Sequence, residues 1–313
     1  MNNQLIKSEN SLSTNRLFDR LKTTSKESEW FHNFFNDNTK RSYLRAVQDF
    51  CVFLGIKNKD ELRDVQPAHV IAYRDYLDKE GLKKSSIGSR LSGLSSLYDD
   101  LVKNHIVKFN PVASVKRPRY QHNKVLSQRL TEQQMTEMLD RPVTNTLVGL
   151  RDWVFLSILF GTGCRISEVC NLSIKDNYQD AEYYILKFTV KGGKEHPVAI
   201  SPPLQKRINQ YLEMSGHGND ENSPLLLSYS GATKNSNAHI TTMTGTRIWD
   251  KYKVTERSTP HSSRTTFASE AIRRGEHLVN VQETLAHADP RTTQKYNKNE
   301  FDYKNSVALG VRL

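Results

Sequence analysis

Between His261 and Tyr296 the chain reads HSSRTTFASEAIRRGEHLVNVQETLAHADPRTTQKY, and this segment limits the fold more tightly than any other. Its apolar residues, Phe267, Ala271, Leu278, Val281 and Leu285, give a buried side to two short helices, with Gly275 as the break between them. His261 and Arg264 are three apart, so one helix sets both on one face. A turn follows around Ala286-His287-Ala288-Asp289-Pro290, and a last short polar helix carries Tyr296. Three helical pieces thus bring two histidines, an arginine and a tyrosine toward one basic pocket. Arginine and histidine both donate hydrogen bonds to phosphate oxygens. A tyrosine beside them is placed to attack phosphorus.

The rest of the chain fits an acidic partner. With 313 residues there is length for two domains and a real core, and the formal net charge of +11 makes nucleic acid the first candidate partner. Cys51, Cys164 and Cys170 form no paired framework and read as reduced core residues in apolar helical contexts. No apolar run approaches a membrane span and the N-terminus lacks a signal-peptide core, so the expectation is a soluble protein of the cytoplasm, associated with DNA and with no membrane partner.

Residues 1–25 are polar and read as a flexible arm, or as a helix over Asn15–Lys22 that packs on a partner subunit. Residues 26–115 read as a small all-helical domain. Tyr43, Val47, Phe50 and Leu54 follow helical spacing and Gly55 ends that helix; Lys40, Arg41 and Arg45 lie off the stripe. A second helix starts at Val65-Gln66-Pro67 and closes at Gly81. A third carries Ile87, Leu91, Leu94, Leu97 and Leu101. Lys83, Lys84, Ser86 and Arg90 gather near its N-terminal end, which suits either a DNA phosphate or plain solvation. Residues 116–129 form a basic linker containing Lys116, Arg117 and Arg119, read as a clamp across a duplex in preference to a mere tether.

The second domain is expected over 130–297, mostly helical with a small β-hairpin. Thr131 caps its first helix, and Leu147 to Phe160 is its long apolar core helix. The glycine turn Gly161-Thr162-Gly163 then delivers Arg165 to the start of a new helix, where its fork of donors can reach a phosphate or pair with Glu168. Tyr183–Val190 and His196–Ile200 read as strands joined by the turn Lys191-Gly192-Gly193-Lys194-Glu195. A lysine there can protonate a departing oxygen.

Taken together, these boxes resemble the tyrosine recombinase (phage integrase) family over most of residues 30–300. Arg165 lies in a run similar to T-G-x-R-x-S-E-L, and His261 and Arg264 match H-x-x-R. Ala286-His287 stands at the family's G-H, with Tyr296 nine residues after the histidine, as in the family. The hairpin resembles the turn G-K-G-x-K-E-R, with Val190 for its first glycine and His196 for its arginine, so Lys191 matches the general acid and Lys194 is its rival. Serines at 262 and 263 and Thr265 depart from the H-x-x-R box. Tyr303 is a rival nucleophile by type, but its distance from His287 does not fit. The resemblance implies a mainly α protein: an N-terminal core-binding domain of the SAM-like kind, then a catalytic domain with a small sheet. It implies a site-specific recombinase that breaks and rejoins double-stranded DNA through a 3′-phosphotyrosyl bond at Tyr296. Arg165, Arg264, Lys191, His261 and His287 serve the phosphate, without metal or other cofactor. It further implies a homo-tetramer on two recombination sites. The tail, residues 298–313, either passes to a neighbouring subunit or folds on its own domain, and DNA-bending accessory proteins are candidate partners. A catalytically inert DNA-binding protein and a type IB topoisomerase are the alternative functions.

Overall fold

The computed structural model describes Trp30, Phe34 and residues 37–119, 127–229, 238–287 and 289–298, with side chains to 294 in the last segment. The expected arm, the middle of the linker, Tyr303 and the tail lie outside these residues. The chain divides into two compact units, Met1–His122 and Asn123–Leu313.

The first unit is helical throughout its described part: α1 (Asp37–Leu54), a 3₁₀ turn (Lys59–Asp64), α2 (Pro67–Lys79) and α3 (Lys84–Lys103). The expected stripes do the packing. Val47 and Phe50 of α1, Val70, Tyr73 and Leu77 of α2, and all five residues of the α3 stripe are buried in one core. A Cβ on Gly93 would lie 2.9 Å from the Ala46 Cβ and 3.2 Å from the Tyr43 Cα, so glycine sets how closely α1 and α3 approach. Gly55 and Gly81 end their helices with φ of 69° and 76°. The 3₁₀ turn was not foreseen; Asn58 and Glu61 cap it reciprocally.

The second unit opens with α4 (Glu132–Asp140), which Thr131 caps by accepting from Gln134 N at 3.2 Å. Then come α5 (Leu147–Thr162), α6 (Ile166–Cys170) and a 3₁₀ turn (Ile174–Asp176). Strands β1 (Asn177–Asp180), β2 (Tyr183–Val190) and β3 (Lys194–Ile200) follow, then α7 (Pro202–Ser215), α8 (Thr242–Tyr252), α9 (Pro260–Arg273), α10 (Leu278–Thr284) and α11 (Pro290–Lys298). Helix α5 is buried almost all round, which its near-continuous apolar run requires, and α7 and α9 pack against it. Leu186, Phe188, Val198 and Ile200 join the same core from the sheet.

The architecture matches the mainly α expectation, with three corrections. The sheet has three antiparallel strands in the order β1-β2-β3; β1 is a short polar edge, Asn-Tyr-Gln-Asp, with no alternation to announce it. The β2–β3 turn is only Lys191-Gly192-Gly193, because both glycines take positive φ (88° and 75°) and Lys194 already pairs with Val190. Cys164 sits in the turn after α5, not in a helix. All three cysteines are buried thiols, each pushed up to about 12 by burial. No helix among the described residues is long and apolar enough to cross a membrane.

One buried ion pair anchors α5. Arg151 donates to Asp152 Oδ1 through Nε (2.9 Å) and Nη2 (2.6 Å), and to the Leu227 carbonyl at 3.1 Å. Tyr252 of α8 donates to Asp152 Oδ2 at 3.0 Å. The Asp152 side chain is 1% exposed, so removing it strands the Arg151 charge. Asp152→Ala should destabilise the second unit by about 3–5 kcal/mol in denaturant unfolding. Tyr252→Phe should cost only about 1 kcal/mol.

Candidate active site

The turn between α5 and α6 holds the first candidate arginine. Gly163 caps α5 with φ 63°, and a Cβ there would sit 2.7 Å from Leu285 Cδ2 and 2.8 Å from Phe267 Cδ1. The turn therefore tolerates only glycine. Arg165 is the N-cap of α6. Glu168, 7% exposed, accepts from the Arg165 backbone N–H (2.7 Å) and from Arg165 Nη1 (2.8 Å), while the Arg165 side chain stays 41% exposed. Arg165 thus pairs with Glu168, as one of its two readings expected, and still presents a face to solvent.

The second arginine is the reverse case. Arg264 of α9 is 2% exposed. Its Nη1 donates to the Gly163 carbonyl at 2.8 Å and its Nη2 to the Leu285 carbonyl. The departures around it are explained locally. Ser262 Oγ accepts from Thr259 N at 3.0 Å and caps α9; Ser263 and Thr265 donate to the Pro260 and His261 carbonyls. These hydroxyls are buried but satisfied.

After α10, Ala286 turns the chain with φ 48° and His287 follows. His287 is 8% exposed; its Nδ1 lies 2.8 Å from Thr293 Oγ1, and its backbone is clamped by Gln282 in both directions. Thr293 is fully buried on α11, whose start is capped by Asp289 accepting from Arg291 N at 2.9 Å. Tyr296 lies on α11, three residues beyond Thr293; its side chain is outside the described residues.

Electrostatics tie these groups together. Burial, then the charges of Arg264, Arg165 and His261, push the His287 imidazole down to about 3. His261 is exposed at its surface yet lowered for the same reasons: surrounding protein first, then Arg264 and Arg165. Arg165, His261, Arg264 and His287 therefore share one strongly positive neighbourhood in which a neutral imidazole is the stable form. The hairpin lysines are both exposed, Lys191 in the turn and Lys194 as the first residue of β3. Among the described residues, no group of three His, Cys, Asp or Glu side chains comes together as a metal site would.

Sequence reasoning missed two partners. Thr293 hydrogen-bonds His287, and His196 of β3 has its Nε2 2.8 Å from the Thr284 carbonyl at the end of α10. The i to i+6 step from His287 has no helical meaning across a turn, and the 88-residue separation of His196 from Thr284 leaves no local pattern.

In the first unit, Arg41, Arg45, Lys83, Lys84 and Ser86 are exposed and Lys40 is half-buried. Arg90 behaves differently from its neighbours: it is ion-paired to Asp49 of α1, its side chain only 20% exposed. Lys116, Arg117 and Arg119 are exposed, and Arg117 donates to Ser92 Oγ of α3 at 2.8 Å. Arg117, Arg119, Asn38, Ser42 and Ser89 help line a mixed polar and apolar groove against α1 and α3.

Two outcomes follow. Between pH 6.5 and about 3 the unfolded chain binds a proton that folded His287 does not, so its contribution to stability is full above 6.5 and is lost on acidification. In His287→Asn the fall of melting temperature from pH 6.5 to 5 should be shallower than in wild type. At Ala286 the left-handed backbone favours glycine. Melting temperatures should run Ala286→Gly, wild type, Ala286→Val from high to low, the valine costing about 1–2 kcal/mol.

Residues 128–302 match the model of the phage integrase family, and residues 35–105 match that of the phage integrase N-terminal SAM-like domain. The tyrosine recombinase XerC of Pelobacter propionicus is 30% identical over 272 residues, covering 85% of this chain and 86% of its own. A tyrosine recombinase of Pseudothermotoga lettingae is 28% identical over 284 residues, covering 87% and 92%. In fold, the chain is similar to XerH site-specific recombinase bound to a palindromic difH substrate (TM-score 0.69, 18% identity, covering 86% of this chain and 78% of that one). It is also similar to a lambda integrase dimer bound to a core site (TM-score 0.68, 16% identity, covering 92% and 96%). With its family models matched in both units and its arginines and histidines gathered around the α5–α6 turn, the chain belongs to the phage integrase family, the tyrosine recombinases.

Proposed function

We propose that this chain is a site-specific DNA recombinase that cuts and reseals strands through a 3′-phosphotyrosyl intermediate at Tyr296. The observation that carries the reading is the shared positive neighbourhood of Arg165, His261, Arg264 and His287, with α11 bearing the tyrosine bonded to it through Thr293.

The chemistry follows from the groups. The Tyr296 oxygen attacks phosphorus, the bond to the 5′ oxygen breaks, and the phosphodiester passes to tyrosine with no net loss of bond energy. Arg165, held by Glu168, binds one nonbridging oxygen, and the Arg264 charge stabilises the other as charge builds in the five-coordinate transition state. A neutral His261 can accept the tyrosine proton: burial and the two arginines weaken it as a base but keep it unprotonated and ready to accept. His287 is also neutral. In the tautomer whose Nδ1 accepts from the Thr293 hydroxyl, Nε2 carries hydrogen and can donate to the phosphate. Lys191 protonates the departing 5′ oxygen, with Lys194 as the rival for that role. The 5′ hydroxyl of a second strand then attacks the phosphotyrosine and reverses the step.

The DNA is held by Lys40, Arg41, Arg45, Lys83, Lys84, Ser86 and Arg90 on the helices of the first unit and by Lys116, Arg117 and Arg119 in the segment after them, contacts to phosphate that give affinity and register. Exchange of strands between two duplexes needs four protomers, with the segment after α11 passing between neighbours. XerH and lambda integrase, similar in fold, are described in complexes with DNA, and lambda integrase as a tetramer on a Holliday junction.

The test is covalent capture. The protein is incubated with a nicked suicide duplex whose sequence comes from selection of bound DNA out of a randomised pool. Wild type should form an adduct that Tyr296→Phe abolishes; an adduct surviving in that variant sinks the nucleophile. Relaxation of supercoiled plasmid without site preference would point to a topoisomerase instead. Replacing the 5′ bridging oxygen by sulfur removes the need for a general acid, so it should restore cleavage to Lys191→Ala and not to Arg165→Ala. Rescue of Lys194→Ala alone would reassign the acid.

A further inference from the structure

The hairpin between β2 and β3 has a weakly supported tip. Lys191, Gly192, Gly193, Lys194 and Glu195 are all exposed, and the two glycines in the turn give it conformational freedom. Glu195 pairs with Lys187 across the strands at 2.9 Å, which stiffens the ladder but does not attach it to the body of the unit. On β3, His196, Val198 and Ile200 share the inward face by strand alternation. Val198 and Ile200 are in the core, and His196 is half-buried between core and tip. Its Nε2 meets the Thr284 carbonyl at 2.8 Å, and since a carbonyl only accepts, Nε2 carries the hydrogen.

The acceptor is what makes this bond matter. Thr284 ends α10, and the next carbonyl, Leu285, accepts from Arg264. Two successive carbonyls thus receive two different elements, the lysine hairpin and the buried arginine, just before the turn that presents His287.

We propose that His196 is a positioning residue for the general-acid step, holding the hairpin lysine at a fixed distance from the phosphate through Thr284. The inference rests on the phosphotyrosyl reading above. If His196 is lost, the fold keeps its core through Val198 and Ile200, and Val190 still packs at the base of the tip, but the hairpin loses its hydrogen bond to the end of α10. Proton transfer needs the donor within hydrogen-bond reach, so a small drift of the lysine slows leaving-group departure more than it slows nucleophilic attack.

The experiment compares cleavage of two nicked suicide duplexes of the selected sequence, one with the natural 5′ bridging oxygen and one with sulfur. The readout is the ratio of the sulfur rate to the oxygen rate within each protein, which cancels any loss of folded or DNA-bound enzyme. His196→Phe keeps a ring and removes the donor; its ratio should rise at least about tenfold over wild type. His196→Gln puts an amide N–H near the position of Nε2 and should keep the ratio close to wild type. An unchanged ratio in His196→Phe, whether its rates are normal or uniformly slow, overturns the proposal. So does an equal rise in both variants. Failure of the wild type to form an adduct on either duplex instead overturns the phosphotyrosyl reading, and a wild-type adduct with an unchanged ratio overturns this inference alone.

Discussion

A guanidinium buried to 2% exposure must have its hydrogens met, and Arg264 meets two of them with backbone carbonyls from segments far apart in sequence. The two acceptors are placed alike. Gly163 precedes Arg165 by two residues, and Leu285 precedes His287 by two. One planar fork therefore fixes two turns, each of which then delivers a candidate phosphate ligand. The angle between the fork's donors is rigid, so it holds the two turns in fixed relation, together with the Leu285 side chain packed against Gly163. Lysine at this position would keep the charge and lose the geometry.

The two turns solve the same backbone problem in different ways. Gly163 adopts a left-handed conformation with Leu285 and Phe267 packed where its Cβ would be, so conformation and space both demand glycine. Ala286 adopts nearly the same φ with a methyl group in place. Alanine is the smallest residue that carries this crowding, and the Gln282 clamp on the next residue holds the turn against it.

Much of this was legible from spacing. The stripes of α1, α2 and α3, the apolar run of α5 and the Thr131 cap are local patterns, and local patterns survive the absence of coordinates. The order Arg165, Lys191, His261, Arg264, His287, Tyr296 was legible through resemblance. What escaped were bonds whose partners are distant or chemically ordinary: His196 to Thr284, Thr293 to His287, Arg90 to Asp49. A histidine in a turn-flanking strand or a threonine in a polar helix has no periodicity to mark it. Strand β1 escaped for the opposite reason, being too short and too polar at the sheet edge to alternate. The hairpin turn was drawn two residues too long because two adjacent glycines close a tighter loop than the charged residues around them suggest.

The buried cysteines have a practical consequence. Burial pushes all three thiols up to about 12 and leaves them at most 3% exposed, so little thiolate is present at neutral pH and little of it reaches solvent. The folded chain should therefore react slowly with maleimides and disulfide reagents. A single cysteine introduced at an exposed site, such as Val143 or Met243, would be the one reactive thiol for attaching a fluorophore or a cross-linker. The native sequence is thus already a background on which motions of the hairpin and of α11 can be followed without first removing its own cysteines.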